Sequence, residues 1–156
     1  MTERIDAHEV SPGAYRAMSA LQHFVHESTL PRALLELVKM RASQINGCAY
    51  CLDMHSKDAT ALGVPAQKLF VLDAWREAPF YSEQERAALE WTEALTLIAR
   101  DQVPDRVYEA VRPHFTDQEL VELTMAIVAI NGWNRLAISF RQEVGTYQPR
   151  VAAGAR

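Results

Sequence analysis

Apolar residues return every three to four positions along most of this chain, the spacing that lines one face of an α-helix. Tyr15, Met18, Leu21, Phe24 and Val25 form such a row behind Ser11, a candidate cap, and Pro12, whose fixed φ suits a first helical turn. A second row, Leu34, Leu35, Leu37, Val38 and Ile45, follows Pro31 and stops at Asn46-Gly47, a C-terminal helix signal. Another helix is predicted from Cys48 to Gly63, and Val64-Pro65 opens a further segment that runs through Trp75. Ser82 with Glu85, and Thr116 with Glu119, each match the S/T-x-x-E capping box that satisfies the first free amides of a helix. Pro104 places one more start near VPDRVYEAV. The sum is about eight helices with short connections. No stretch alternates apolar and polar residues between hairpin turns, so the predicted fold class is all-α.

The segment from Leu120 to Ile130 breaks the one-face pattern, because apolar residues cover nearly every side of it. Such a helix must be surrounded by protein. Its surroundings are either the chain's other helices or neighbouring subunits. Trp75, Trp91 and Trp133 read as core or interface anchors, and Asn131, Asn134 and Arg135 as a buried hydrogen-bond network or a subunit contact.

A length of 156 residues fits one domain, taken here as 1–156 with a core of about 12–143. With 49% apolar and 23% charged residues, the composition is that of a globular chain. The formal charge of −4 and the lack of any Lys/Arg cluster exclude a nucleic-acid surface. MTERIDAHEV carries acidic residues where an export signal needs basic ones, and the longest apolar run, Met125 to Ile130, falls short of the about 20 residues a bilayer requires. A cytoplasmic location without membrane contact is expected. There, neighbouring thiols bind metal or cycle between redox states more often than they form a passive staple.

Both cysteines lie in INGCAYCLDMHS, residues 45–56. If Gly47 ends one helix and Cys48 begins the next, Cys48 sits among free amides whose partial positive charge favours a thiolate. Cys51, three residues on, shares its side of the helix and is close enough for a disulfide. His55 lies one turn beyond Cys51, where its imidazole can exchange a proton with a thiol. Glu36 belongs to the preceding helix, and a tight turn at Asn46-Gly47 folds it back towards His55, where a carboxylate would orient the ring. Taken alone, Glu36 reads first as a solvated helix residue. A metal site from Cys48, Cys51, His55 and Glu36 stays open as an alternative, although no second cysteine pair completes a four-ligand zinc site. His8, His23, His26 and His114 read as surface residues.

Together, Glu36, Cys48-Ala49-Tyr50-Cys51 and His55 form E-x11-C-x2-C-x3-H, which is similar to the signature of the alkylhydroperoxidase AhpD-like branch of the carboxymuconolactone decarboxylase superfamily. INGCAYCLDMHSKDA and AINGWNRLAISFR resemble that family as well, so the likeness spans most of residues 12–143. It implies an all-helical fold, assembly into homo-trimers or homo-hexamers, and thiol-dependent reduction of a hydroperoxide. In that cycle Cys48 and Cys51 form a disulfide, Glu36 and His55 relay protons, no cofactor takes part, and an external dithiol or lipoyl-type reductant restores the thiols. Either cysteine is a candidate for the attack: the helix end favours Cys48 and the spacing to His55 favours Cys51, which is preferred. Tyr50 departs from the best-known peroxidase members, which carry a histidine at that position. A redox sensor or disulfide exchanger using the same pair is the rival reading.

Overall fold

Two capping boxes, four proline-led starts and a left-handed glycine set helix ends where the sequence pattern predicts them. The computed structural model describes residues 2–149, which form nine α-helices and no strand. They are α1 (Ala7–Val10), α2 (Pro12–His26), α3 (Arg32–Asn46), α4 (Ala49–Ala61), α5 (Ala66–Phe70), α6 (Glu83–Thr96), α7 (Ile98–Asp101), α8 (Asp105–Val111) and α9 (Asp117–Phe140). The pairs Ser82/Glu85 and Thr116/Glu119 both close reciprocally. Two of the nine, α1 and α7, are four-residue turns too short to show periodicity. Ser11 is not a side-chain cap: its backbone N–H closes α1 on the Ala7 carbonyl, while Asp6 caps α1 instead. The segment after Pro65 breaks at Val71, where α5 gives way to a 3₁₀ turn at Leu72–Ala74.

Helix α3 is the axis of the fold. It packs against α4, α6 and α9, and every residue from Leu34 to Met40 is buried. One side, with Leu34, Leu35 and Val38, joins Val25, Ala88, Leu123 and Ile127 of α2, α6 and α9. The opposite side, with Leu37 and Met40, meets Leu69, Leu72, Trp75 and Leu89. A helix covered on all sides has no solvated face, so Glu36 and Lys39 are carried into the interior and need partners there.

Helix α9, roughly 36 Å long at 1.5 Å per residue, is covered mainly by the chain's own helices. Leu120, Leu123, Ala126, Ile127, Ala129 and Ile130 are buried, whereas Val121 and Val128, two turns apart on one face, keep 60% and 50% of their surface exposed. No described helix is long and apolar enough to cross a membrane. Trp75 and Trp91 are buried, with their indole N–H groups donating to Glu93 Oε1 (2.8 Å) and Thr124 Oγ1 (3.0 Å). Trp133 is half-buried, edge-on to Tyr15.

The polar residues of α9 lock it to the end of α3. Asn46 Nδ2 donates to Asn131 Oδ1 (2.9 Å) and Asn134 Oδ1 (2.8 Å), and Asn134 Nδ2 donates to Ser43 Oγ (3.0 Å). Asn134 is fully buried. Replacing it with alanine strands partners on both helices, and leaving such groups unpaired costs about 1–3 kcal/mol. Asn134→Ala is therefore expected to lower the urea midpoint, while Glu109→Ala, at an exposed position of α8, stays within about 0.5 kcal/mol of wild type. Equal midpoints for the two variants would contradict the locking role.

Candidate functional site

The dithiol is built where α3 turns into α4. Gly47 adopts φ 70°, a left-handed conformation that side chains disfavour, and Cys48 N–H then donates to the Ser43 carbonyl at 3.0 Å. That turn leaves Cys48 as the N-cap of α4, its Sγ accepting the Cys51 amide at 3.3 Å. Cys48 and Cys51 are joined as a disulfide with Cα atoms 5.4 Å apart. Both are nearly inaccessible, at 1% and 2% exposure, and pack with Ala42, Ile130, Ala137 and the half-buried Tyr50.

Glu36 and His55 meet behind the pair. Glu36 is 6% exposed, so the solvated reading of this residue does not hold. Its Oε2 lies 2.7 Å from His55 Nδ1 and its Oε1 accepts from Lys39 Nζ, also at 2.7 Å. Burial alone would raise the Glu36 pKa, but the hydrogen bond and charge of His55, followed by those of Lys39, hold it at about 2, below the ordinary 4.5. The carboxylate is thus ionised and the His55 ring nitrogen is the donor. In the neutral ring that bond keeps the proton on Nδ1 and leaves Nε2 as the basic atom. His55 shares the inner face of α4 with Cys51, one turn away.

Tyr50 cannot stand in for a histidine between the cysteines. Burial, then Tyr15 and Asp53, push its phenol pKa above 10, so it neither takes nor gives a proton near neutral pH. Three further residues reach the site without having been singled out in the sequence. Lys39 lies one turn beyond Glu36, and its only outward signal was a charge inside an apolar row. Asp58 lies one turn beyond His55, and its carboxylate comes within 4.8 Å of both the Glu36 and His55 ligand atoms. Tyr147, from the segment after α9, donates its hydroxyl to Asp58 Oδ1 at 2.7 Å. No local pattern marks so distant a partner.

The metal alternative changes accordingly. The cysteine sulfurs are bonded to each other, and the one group of three potential ligands among the described residues is Glu36, His55 and Asp58. Lys39 already supplies a cation to that group. Of the remaining histidines, His23 pairs at the surface with Glu27 and His8 packs edge-on against Tyr15, while His26 of α2 faces the group.

An all-helical core with a CxxC pair at the start of α4 makes this a protein of the AhpD type. Residues 12–94 match the carboxymuconolactone decarboxylase family, and the chain belongs to that family, in its AhpD-like branch. It is 41% identical over 139 residues to the uncharacterized protein YdfG of Bacillus subtilis (strain 168), covering 89% of this chain and 95% of the relative. A protein of unknown function from Agrobacterium tumefaciens, for which antioxidant defence protein AhpD has been suggested as an identity, is 44% identical. Its crystal structure matches with a TM-score of 0.90 over 94% of this chain and all of that one. The debrominase Bmp8 shares the fold at 21% identity, with a TM-score of 0.78 over 88% of this chain and 74% of its own.

The depressed Glu36 pKa carries a pH signature. An unfolded chain protonates this carboxyl near 4.5 and the folded one near 2. Its stabilising contribution is therefore complete above about pH 4.5 and is lost as pH falls towards 2. Thermal melts of wild type and Glu36→Gln are expected to differ most above that window and to converge through it. A gap that is constant with pH would contradict the buried ion pair.

Proposed function

We propose that the protein is a thiol-dependent peroxidase that reduces hydroperoxides through a Cys48/Cys51 dithiol–disulfide cycle. The observation that carries this reading is the buried Glu36–His55 pair, 2.7 Å apart and one turn from the disulfide. In the reduced protein His55 Nε2 takes the thiol proton of Cys51, and the ionised Glu36 stabilises the resulting imidazolium. The thiolate attacks one peroxide oxygen and the O–O bond breaks. Cys51 becomes a sulfenic acid, and the other oxygen leaves as alcohol or water with the proton from His55. Cys48 then attacks the sulfenic sulfur, forming the disulfide and releasing water. An external dithiol of lipoyl type returns two electrons and two protons by exchange through a mixed disulfide at Cys48. The free amides at the start of α4, one of which already points at Cys48 Sγ, favour the thiolate this exchange needs. The cycle requires a reducing compartment, in keeping with a cytoplasmic protein.

The inaccessibility of both sulfurs favours a second reading, a redox sensor or disulfide exchanger that opens only against its partner. Steady-state hydroperoxide consumption with a panel of reductants, including dihydrolipoamide, separates the two. A peroxidase turns over many times; a sensor is oxidised once. Cys48→Ser and Cys51→Ser are each expected to abolish dithiol-dependent turnover, and a serine variant at the full steady-state rate would remove the two-cysteine cycle.

The exposed Val121 and Val128 on one face of α9, with Ile138 also exposed nearly three turns further on, support assembly into a homo-trimer or homo-hexamer. Light scattering at micromolar concentration is expected to report at least three chains. A monomer would refute the assembly.

A further inference from the structure

The segment that follows α9 returns across α4 and is pinned there twice. Lys57 Nζ, itself paired with Asp53 Oδ2 at 2.8 Å, donates to the Tyr147 carbonyl at 3.0 Å. One helical position on, Asp58 accepts the Tyr147 hydroxyl at 2.7 Å. This strap lies outside the residues matched to the family and outside the core expected from the sequence. The chemistry around His55 gives it a use.

Within the acid–base group, Lys39 and Glu36 cancel as a salt bridge at 2.7 Å. With those two alone, a proton taken by His55 would leave one uncompensated positive charge in a buried site, which is costly. Asp58 supplies the missing negative charge, since its carboxylate lies within 4.8 Å of both His55 and Glu36 ligand atoms. The other groups facing this site do not replace it. His26 of α2 has its pKa lowered, first by burial and then by Lys39, so it is uncharged near neutral pH. Arg32 of α3 is exposed, and the phenols of Tyr50 and Tyr147 are both pushed upward by burial and stay protonated. Lys57 is engaged by Asp53.

We infer that Asp58 and Tyr147 are positioning residues of the thiol site: the Tyr147 hydroxyl holds the Asp58 carboxylate against the Glu36–His55 pair, and that charge sustains the imidazolium formed when a thiol is deprotonated. The inference rests on the acid–base reading given above. Tyr147, being supplied by the chain beyond α9, makes the site complete only when the strap is seated.

The test follows the pH dependence of iodoacetamide alkylation at the reduced cysteines in wild type, Asp58→Asn, Tyr147→Phe and Glu36→Gln, with thermal melts as a check on folding. Asp58→Asn removes one opposite charge near the imidazolium, so its profile is expected to move up by about one pH unit, a roughly tenfold slower alkylation below the midpoint. Tyr147→Phe keeps the ring and loses only the hydroxyl; the same direction is expected, by about threefold. Should either variant lose its melting transition, Lys57→Gln, which loosens the strap without touching the three acid–base side chains, is measured in its place with the same direction expected. Profiles for Asp58→Asn and Tyr147→Phe that overlay wild type while Glu36→Gln shifts would overturn this inference alone. An unshifted Glu36→Gln would overturn the acid–base reading and this inference with it.

Discussion

One carboxylate, that of Glu36, organises the molecule's interior. It sits on the most enclosed helix of the fold and divides its two oxygens between Lys39 and His55, each at 2.7 Å. Were Lys39 lost, the carboxylate charge would remain buried without its cation, and breaking such a pair costs about 3–5 kcal/mol. The orientation of His55, and with it the polar lining behind the disulfide, thus depends on a group that only a fully surrounded α3 could have placed there.

The turn at Gly47 converts sequence spacing into that contact. Glu36 lies 11 residues before Gly47 and His55 lies 8 after it. In helices rising 1.5 Å per residue these are distances of roughly 16 and 12 Å from the turn. Two antiparallel helices leaving one tight corner bring such positions alongside each other within a side chain's reach. The same corner makes Cys48 the N-cap of α4, so the amides that would favour a thiolate and the carboxylate that orients the histidine follow from a single backbone event. The asparagine lock between Asn46, Asn131 and Asn134 fixes the corner against α9, which explains why polar side chains interrupt so apolar a helix.

What the sequence made legible was local. Capping boxes at Ser82 and Thr116, the stop at Gly47 and the cysteine spacing are each decided within a few residues, and the structure carries all of them. The family signature pointed Glu36 inward where its own surroundings did not. Features set by distant packing were illegible. Ser11 has the chemistry of a cap but is occupied as the end of α1. Lys39 looks like a solvated lysine until α3 is seen to have no solvated face. Tyr147 meets Asp58 across 89 positions of sequence, and no periodicity encodes that pairing.

Stability does not account for the charges in α3. Replacing a buried ion pair with well-packed apolar residues is often neutral or stabilising by about 1–4 kcal/mol, so a chain selected only for a firm core would carry leucine or methionine at positions 36 and 39. The neighbouring positions Leu35, Leu37, Val38 and Met40 show that the helix is otherwise built that way. Residues that break a local rule without strengthening the fold are expected where chemistry is done. Here the exception touches an imidazole one turn from Cys51 and two from Cys48. Lys39, at 2.7 Å, supplies a cation that helps the carboxylate stay ionised in so enclosed a place.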